Sequence, residues 1–125
     1  MPSLTKCAPY FPVANVERCL EFYEHTLGFT CEYSAGSPLE FAIIARDNCT
    51  LMLRKVEAPI VPSERQGGTW DAFVWVDDVR ALFTQLSVPT SSLAYGLTMQ
   101  PYGMEEFAVR DPEGHVLGFG SHVSA

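Results

Sequence analysis

Apolar side chains along this chain recur with two periods, and the order in which the periods alternate is repeated. Val16, Cys19, Leu20 and Tyr23 fall at i, i+3, i+4 and i+7, one face of a helix. Asn15 ahead of them is a good N-cap, and Leu27-Gly28-Phe29 closes the helix with Gly28 in the C′ position. Before this helix, residues 7–13 read as extended, with Pro9 and Pro12 suited to an edge because neither can donate to a ladder. After it, 29–34, 39–46 and 49–55 are strand candidates, with Asp47-Asn48 turning between the last two. The first half therefore reads β-α-β-β-β.

The second half repeats it. Val13-x-Asn15-Val16-x-x-Cys19-Leu20-x-x-Tyr23 returns as Val76-x-Asp78-Val79-x-x-Leu82-Phe83-x-x-Leu86. Phe41-Ala42-Ile43 and Leu51-Met52-Leu53 return as Phe107-Ala108-Val109 and Leu117-Gly118-Phe119. Trp70 to Val76 is the leading strand, and Asp78 caps the helix. After a break over 87–92, strands are predicted at 93–100, 104–110 and 115–121. The last two are joined by Asp111-Pro112-Glu113-Gly114, which suits a type I turn. The fold class is α+β: two tandem β-α-β-β-β modules, 1–58 and 70–125, forming one curved, cup-shaped mixed sheet within a single structural domain. Residues 59–69, with prolines and glycines, are the linker.

Composition narrows the function. Of 125 residues, 47% are hydrophobic and 18% charged, which excludes a disordered chain. A net charge of −7 argues against nucleic acid as a partner and suits the approach of a cationic small molecule. No apolar run is long enough to cross a membrane, and the N-terminus does not read as a signal peptide, so a cytoplasmic location is expected. Cys7, Cys19, Cys31 and Cys49 form no Cys-x-x-Cys pair and read as reduced, Cys19 on a buried helix face. His25, His115 and His122 read as surface residues.

Several ordered segments resemble the vicinal-oxygen-chelate superfamily, which includes glyoxalase I, extradiol dioxygenases and bleomycin-resistance proteins. They are Asn15-Val16-x-x-x-Leu20-x-Phe22-Tyr23-x-x-x-Leu27-Gly28-Phe29, Val76-Asp77-Asp78-Val79, Tyr102-Gly103-Met104-Glu105-Glu106-Phe107 and Asp111-Pro112-Glu113-Gly114-His115. The metal enzymes of that superfamily place a His early in each module's first strand and a Glu in the last strand. Those positions fall on Ala8, Asp71 and Gly118, with Met52 where glyoxalase I adds a further Glu. Of the four, only Asp71 offers a hard donor, so the resemblance implies no metal and no cofactor.

If position 71 faces the cup, alternation puts Phe73 and Trp75 on the same face as aromatic walls, with Asp71 as a polar anchor. Tyr10 lines the first module's side, and Gly118 and Gly120 leave an open floor. Trp70, Tyr95 and Tyr102 add aromatic surface at the rim, and one of Glu105 and Glu106 faces inward. The expected ligand-binding set is thus Tyr10, Asp71, Phe73, Trp75, Tyr102, Glu106 and Gly118, with no catalytic residue. The resemblance implies a small-molecule binder of bleomycin-resistance type, acting by sequestration as a homodimer with its ligand between subunits. Two alternatives stay open. One is a metal-dependent lyase, dioxygenase or thiol transferase that assembles Asp71, Glu105 or Glu106, and a His. The other is an interaction module whose cup is filled by its own side chains.

Overall fold

The structure is a computed structural model that describes residues 1–62 and 69–123. Residues 63–68, which make up much of the expected linker, and 124–125 lie outside the described residues. The first module runs β1 (Tyr10–Val13), α1 (Val16–His25), β2 (Thr30–Ala35), β3 (Phe41–Arg46) and β4 (Cys49–Lys55). The second runs β5 (Ala72–Trp75), α2 (Val79–Leu86), β6 (Leu93–Met99), β7 (Met104–Arg110) and β8 (Val116–His122). A 3-10 turn at Thr90–Ser92 occupies the break after α2.

Both helices start where a side chain takes over an orphaned backbone donor. Asn15 Oδ1 accepts from the Arg18 N–H and Asp78 Oδ1 from the Ala81 N–H, each at 3.0 Å. The first helix is stopped by Gly28 at φ +74, beyond which the Phe29 N–H reaches the Tyr23 carbonyl at 2.9 Å. That bond turns Phe29 back into the core, where it is 5% exposed and meets Tyr23 edge-on.

The strands form two four-stranded mixed sheets, in the orders β1-β4-β3-β2 and β5-β8-β7-β6. In each, the module's first strand is an edge strand lying parallel to its last. Pro12 is tolerated in β1 for that reason. Both leading strands are shorter than the sequence suggests, because residues 7–9 and 70–71 lie outside the regular ladder. Single bonds nevertheless extend the pairing, from Met52 N–H to the Pro9 carbonyl and from Asp71 N–H to the Val116 carbonyl.

Each sheet has a helix face and a concave face, and register assigns the side chains. Phe83 of α2 packs edge-on against Phe107 at 5.1 Å, and Phe107 stacks on Phe119 at 5.2 Å. Val74 pairs with Phe119, so Ala72 and Val74 share this helix face. Phe73, Trp75, Glu106, Gly118 and Gly120 therefore point to the opposite, concave face. In the first sheet, Phe11, Val13, Leu51 and Leu53 go to the core, leaving Tyr10, Met52 and Arg54 on the concave side.

One continuous core joins the modules through their helix faces, with Val16, Cys19 and Tyr23 of the first packed in the same cluster as Phe107, Val109 and Leu117 of the second. The turn between β7 and β8 clamps this junction. Glu113 accepts from the Ala14 and Asn15 N–H groups at 3.0 Å each, and Tyr23 donates to Asp111 Oδ2 at 2.8 Å. Among the described residues no helix is long and apolar enough to cross a membrane.

Candidate functional site

The concave face of the second sheet is built around Glu106, the central residue of β7 pointing that way. It is fully buried, at 0% exposure. Its Oε1 accepts two hydrogen bonds, from Tyr95 Oη and Tyr102 Oη, both at 2.8 Å. Tyr95 Oη in turn accepts from the Trp70 indole N–H at 2.9 Å. The other carboxylate oxygen, Oε2, is buried and has no hydrogen-bond partner. A buried carboxylate oxygen left unserved costs free energy, and native structures seldom leave one without a reason. Burial, then the hydrogen bond to Glu106, holds the Tyr102 phenol above its ordinary range. The Tyr95 phenol is also held high, first by burial, while the Trp70 hydrogen bond pulls the other way.

Glu105, one residue away, faces the other side and takes an ion pair from Arg80 Nε at 2.8 Å. Alternation thus resolves which of the two glutamates turns inward.

The glycine floor is not open as expected. A Cβ placed on Gly118 would lie 2.6 Å from Trp70 Nε1 and 2.7 Å from Phe73 Cδ1. One on Gly120 would lie 2.8 Å from Phe73 Cζ. The Trp70 and Phe73 rings, 4.6 Å apart, lie down on the glycines and fill the space that these residues provide. Phe73 then meets Trp75 edge-on at 5.1 Å, and Trp75 stands 69% exposed. Tyr102 is 59% exposed beyond them.

Two expectations need correction. Asp71 lies beside this floor, but its carboxylate is turned inward: Oδ2 accepts from the Val116 N–H at 2.7 Å, and the side chain is 4% exposed. It braces the start of β8 and does not present its charge to the cup. His115 is not a surface residue. It is 1% exposed, its ring stacks on Phe11 at 4.4 Å, and its Nε2 lies 2.9 Å from the Pro12 carbonyl. Its Nδ1 sits 3.8 Å from Asp71 Oδ2. The position in the Asp-Pro-Glu-Gly turn suggested exposure, but that turn is itself the wedge between the modules. His25 and His122 are exposed, as expected.

Tyr10, at 56% exposure, lies on the concave face of the first sheet, and so belongs to a different wall from Trp75. Tyr33, also on that face, is 54% exposed and leans towards Phe41 at 6.2 Å. A groove of about 870 Å³ runs along the free edge of β5, between the modules, with Pro9, Phe29 and Leu51 in its lining together with Phe73, Val74 and Trp75 of β5. It is mainly apolar and does not contain Glu106.

The superfamily's metal does not fit these residues. Ala8 has no donor, Gly118 is covered by two rings, and Asp71 is committed to the Val116 N–H. Among the described residues no group of three or more His, Cys, Asp or Glu is placed to hold a metal ion.

Comparison with known proteins agrees with the architecture. Residues 5–119 match the family described as Glyoxalase/Bleomycin resistance protein/Dioxygenase superfamily. The bleomycin-binding protein of bleomycin-producing Streptomyces verticillus, solved with copper(II)-bleomycin, is 25% identical over 100% of both chains, with a TM-score of 0.72. The bleomycin resistance determinant encoded on transposon Tn5 is 20% identical over 95% of this chain and 98% of its own, with a TM-score of 0.74. The lactoylglutathione lyase of Agrobacterium tumefaciens is 18% identical over 96% and 94%, with a TM-score of 0.65. No curated protein matches the sequence.

Proposed function

We propose that this chain, which belongs to the glyoxalase/bleomycin resistance protein/dioxygenase superfamily, is a metal-free binding protein that sequesters a small aromatic or cationic molecule of antibiotic type. The observation that carries this reading is the construction of the second sheet's concave face. Aromatic rings surround a carboxylate there, while the positions that would hold a metal are Ala8, a committed Asp71 and a ring-covered Gly118. Stacking surfaces with one charged group give affinity and orientation, and nothing in the set supplies a nucleophile, a Lewis acid or a general base poised beside one. The relative solved with copper(II)-bleomycin supports the class of ligand.

The binding unit is a homodimer. Tyr10, Tyr33, Trp75 and Tyr102 are each more than half exposed on the two concave faces, and β1 and β5 each keep one free edge. Exposed aromatic faces and free strand edges are what a second copy would cover, its first sheet standing opposite the second sheet of its partner. The site is cytoplasmic.

Three measurements test this. Light scattering of the purified protein should give twice the chain mass. Thermal melts against a panel of planar aromatic cations and glycopeptide antibiotics should rise with ligand concentration, since a binder gains RT ln(1 + [L]/Kd). Elemental analysis of protein prepared without chelator should find no divalent metal in stoichiometric amount; one Mn, Fe, Ni or Zn per chain would defeat the proposal.

A further inference from the structure

Within that binding reading, on which this inference rests, we infer that the buried Glu106 carboxylate, and not Asp71, is the charge-recognition point of the site, and that it selects ligands carrying an organic ammonium or amidinium group. Both carboxylates were candidates from the sequence, and the hydrogen bonds separate them. Asp71 Oδ2 is spent on the Val116 N–H. Glu106 Oε1 is spent on Tyr95 and Tyr102, which fix the orientation of the carboxylate, while Oε2 is left without a donor. A fully buried acceptor held rigidly by two phenols and left unserved is prepared for an N–H that the chain itself does not supply.

The surroundings define which donor. Trp70, Phe73, Tyr95 and Tyr102 converge on this carboxylate, directly or through the glycine floor. Aromatic faces around a carboxylate favour a cation twice, through charge-assisted hydrogen bonding and through ring quadrupoles. A phosphate or carboxylate ligand would meet an unpaired negative charge with no Arg or Lys among these contacts. The chain's net charge of −7 also favours the approach of a cation.

Access requires the Trp70 and Phe73 rings to leave the glycines, because they occupy the space above Gly118 and Gly120. Beneath them lie the two glycines and, beside Gly120, the Glu106 and Met104 side chains, and rotating the rings outward breaks the Trp70–Tyr95 hydrogen bond. The two rings occupy the space over Gly118 and Gly120 that a ligand would take. Trp70 and Trp75 are the chain's two tryptophans, so indole emission reports this movement directly.

The experiment titrates the full chain with phenethylammonium and with its neutral counterpart 2-phenylethanol, following tryptophan emission and heat. The cation should bind at least about tenfold more tightly than the alcohol. Glu106→Gln should bring the two to near equality, while Glu105→Gln and Asp71→Asn keep the preference. If Glu106→Gln does not fold, the preference in the parent and in Asp71→Asn decides: its loss in Asp71→Asn overturns the assignment. If parent protein binds both probes equally and Trp75→Ala weakens both, the binding reading stands and the role of Glu106 falls. If neither probe changes emission or heat at concentrations on the order of 10 mM, both fall together.

Discussion

Asp111 and Glu106 are two carboxylates of the second module, each buried and each receiving tyrosine hydroxyls at 2.8 Å. They differ in what their remaining lone pairs do. Asp111 Oδ2 takes the Tyr23 hydroxyl, and its Oδ1 takes the Glu113 and His115 N–H groups at 2.8 and 3.0 Å. Every oxygen is used, every partner belongs to the chain, and the result is a joint between modules. Glu106 uses one oxygen and withholds the other. Since burying a charge without full hydrogen bonding is costly, the first arrangement is explained by folding alone and the second is not. The same residue chemistry therefore marks structure at one place and a waiting site at the other, and the distinction lies in the last unpaired atom.

Stability measurements should separate the two most widely at the carboxylates themselves. Asp111→Ala strands the Tyr23 hydroxyl and two backbone donors in the core, and should cost about 3–5 kcal/mol in urea unfolding. Glu106→Gln keeps the shape and the acceptor for the tyrosines while removing a charge that is not fully compensated, and should change stability by less than about 1 kcal/mol. Comparable losses at both positions would mean that Glu106 is a structural joint like Asp111.

The next effect concerns the ring-covered floor. Gly118→Ala places a methyl within 2.7 Å of both Trp70 and Phe73, so the rings must lift. Overpacking of this kind should cost about 1–3 kcal/mol and shift the emission of Trp70 towards that of exposed indole. An unchanged spectrum would show that the rings do not rest where the structure puts them.

Alkaline pH probes the tyrosines on either side of the comparison. Burial first, and then Asp111, raises the Tyr23 phenol well above its ordinary value of 10.0. Above that pH the unfolded chain loses the Tyr23 proton while the folded chain keeps it. The unfolded state then binds fewer protons, so stability falls as pH rises, by up to about 1.4 kcal/mol per unit for this one group. Tyr95 and Tyr102 shift in the same direction and add smaller, solvent-screened contributions. Tyr23→Phe should flatten the decline between roughly pH 10 and pH 11 more than Tyr102→Phe does. The reverse order would place the better-sealed hydroxyl at Glu106.

Much of the fold was legible because it rests on period and punctuation. The i, i+3, i+4, i+7 faces behind Asn15 and Asp78 gave both helices, and β4 and β7 fall where alternation predicts, at Cys49–Lys55 and Met104–Arg110. Strand parity also placed Phe73 and Trp75 on one face with Gly118. Period cannot show what a polar side chain does once buried. The sequence puts Asp71 forward as the polar anchor and leaves Glu105 and Glu106 undecided, and the Val116 N–H on one side and the two phenols on the other reverse that order. His115 was misread because a Pro-Gly turn is usually solvated, whereas this one is driven between the modules. A signal was present in Tyr23, whose hydroxyl on a buried helix face requires an acceptor from elsewhere in the chain. The glycines were read as space, but space in a sequence does not say which ring will occupy it.

Trp75 gives the smallest effect on stability and the cleanest separation of binding from folding. It sits at the end of β5, 69% exposed, touching Phe73 edge-on. Truncating a side chain that buries so little of itself should change urea stability by less than about 1 kcal/mol, against about 3–5 for a buried aromatic. If the ligand stacks on this face, the same truncation removes a flat surface of large area and should weaken binding by about 1–3 kcal/mol. Calorimetry with 2-phenylethanol, which lacks the charge, isolates that contribution from Glu106. A variant that folds and binds like the parent would move the stacking surface to Tyr102, the other strongly exposed ring beside Glu106. A variant that loses several kcal/mol of stability would show that Trp75 is a packing residue of the folded dimer and not a free stacking surface.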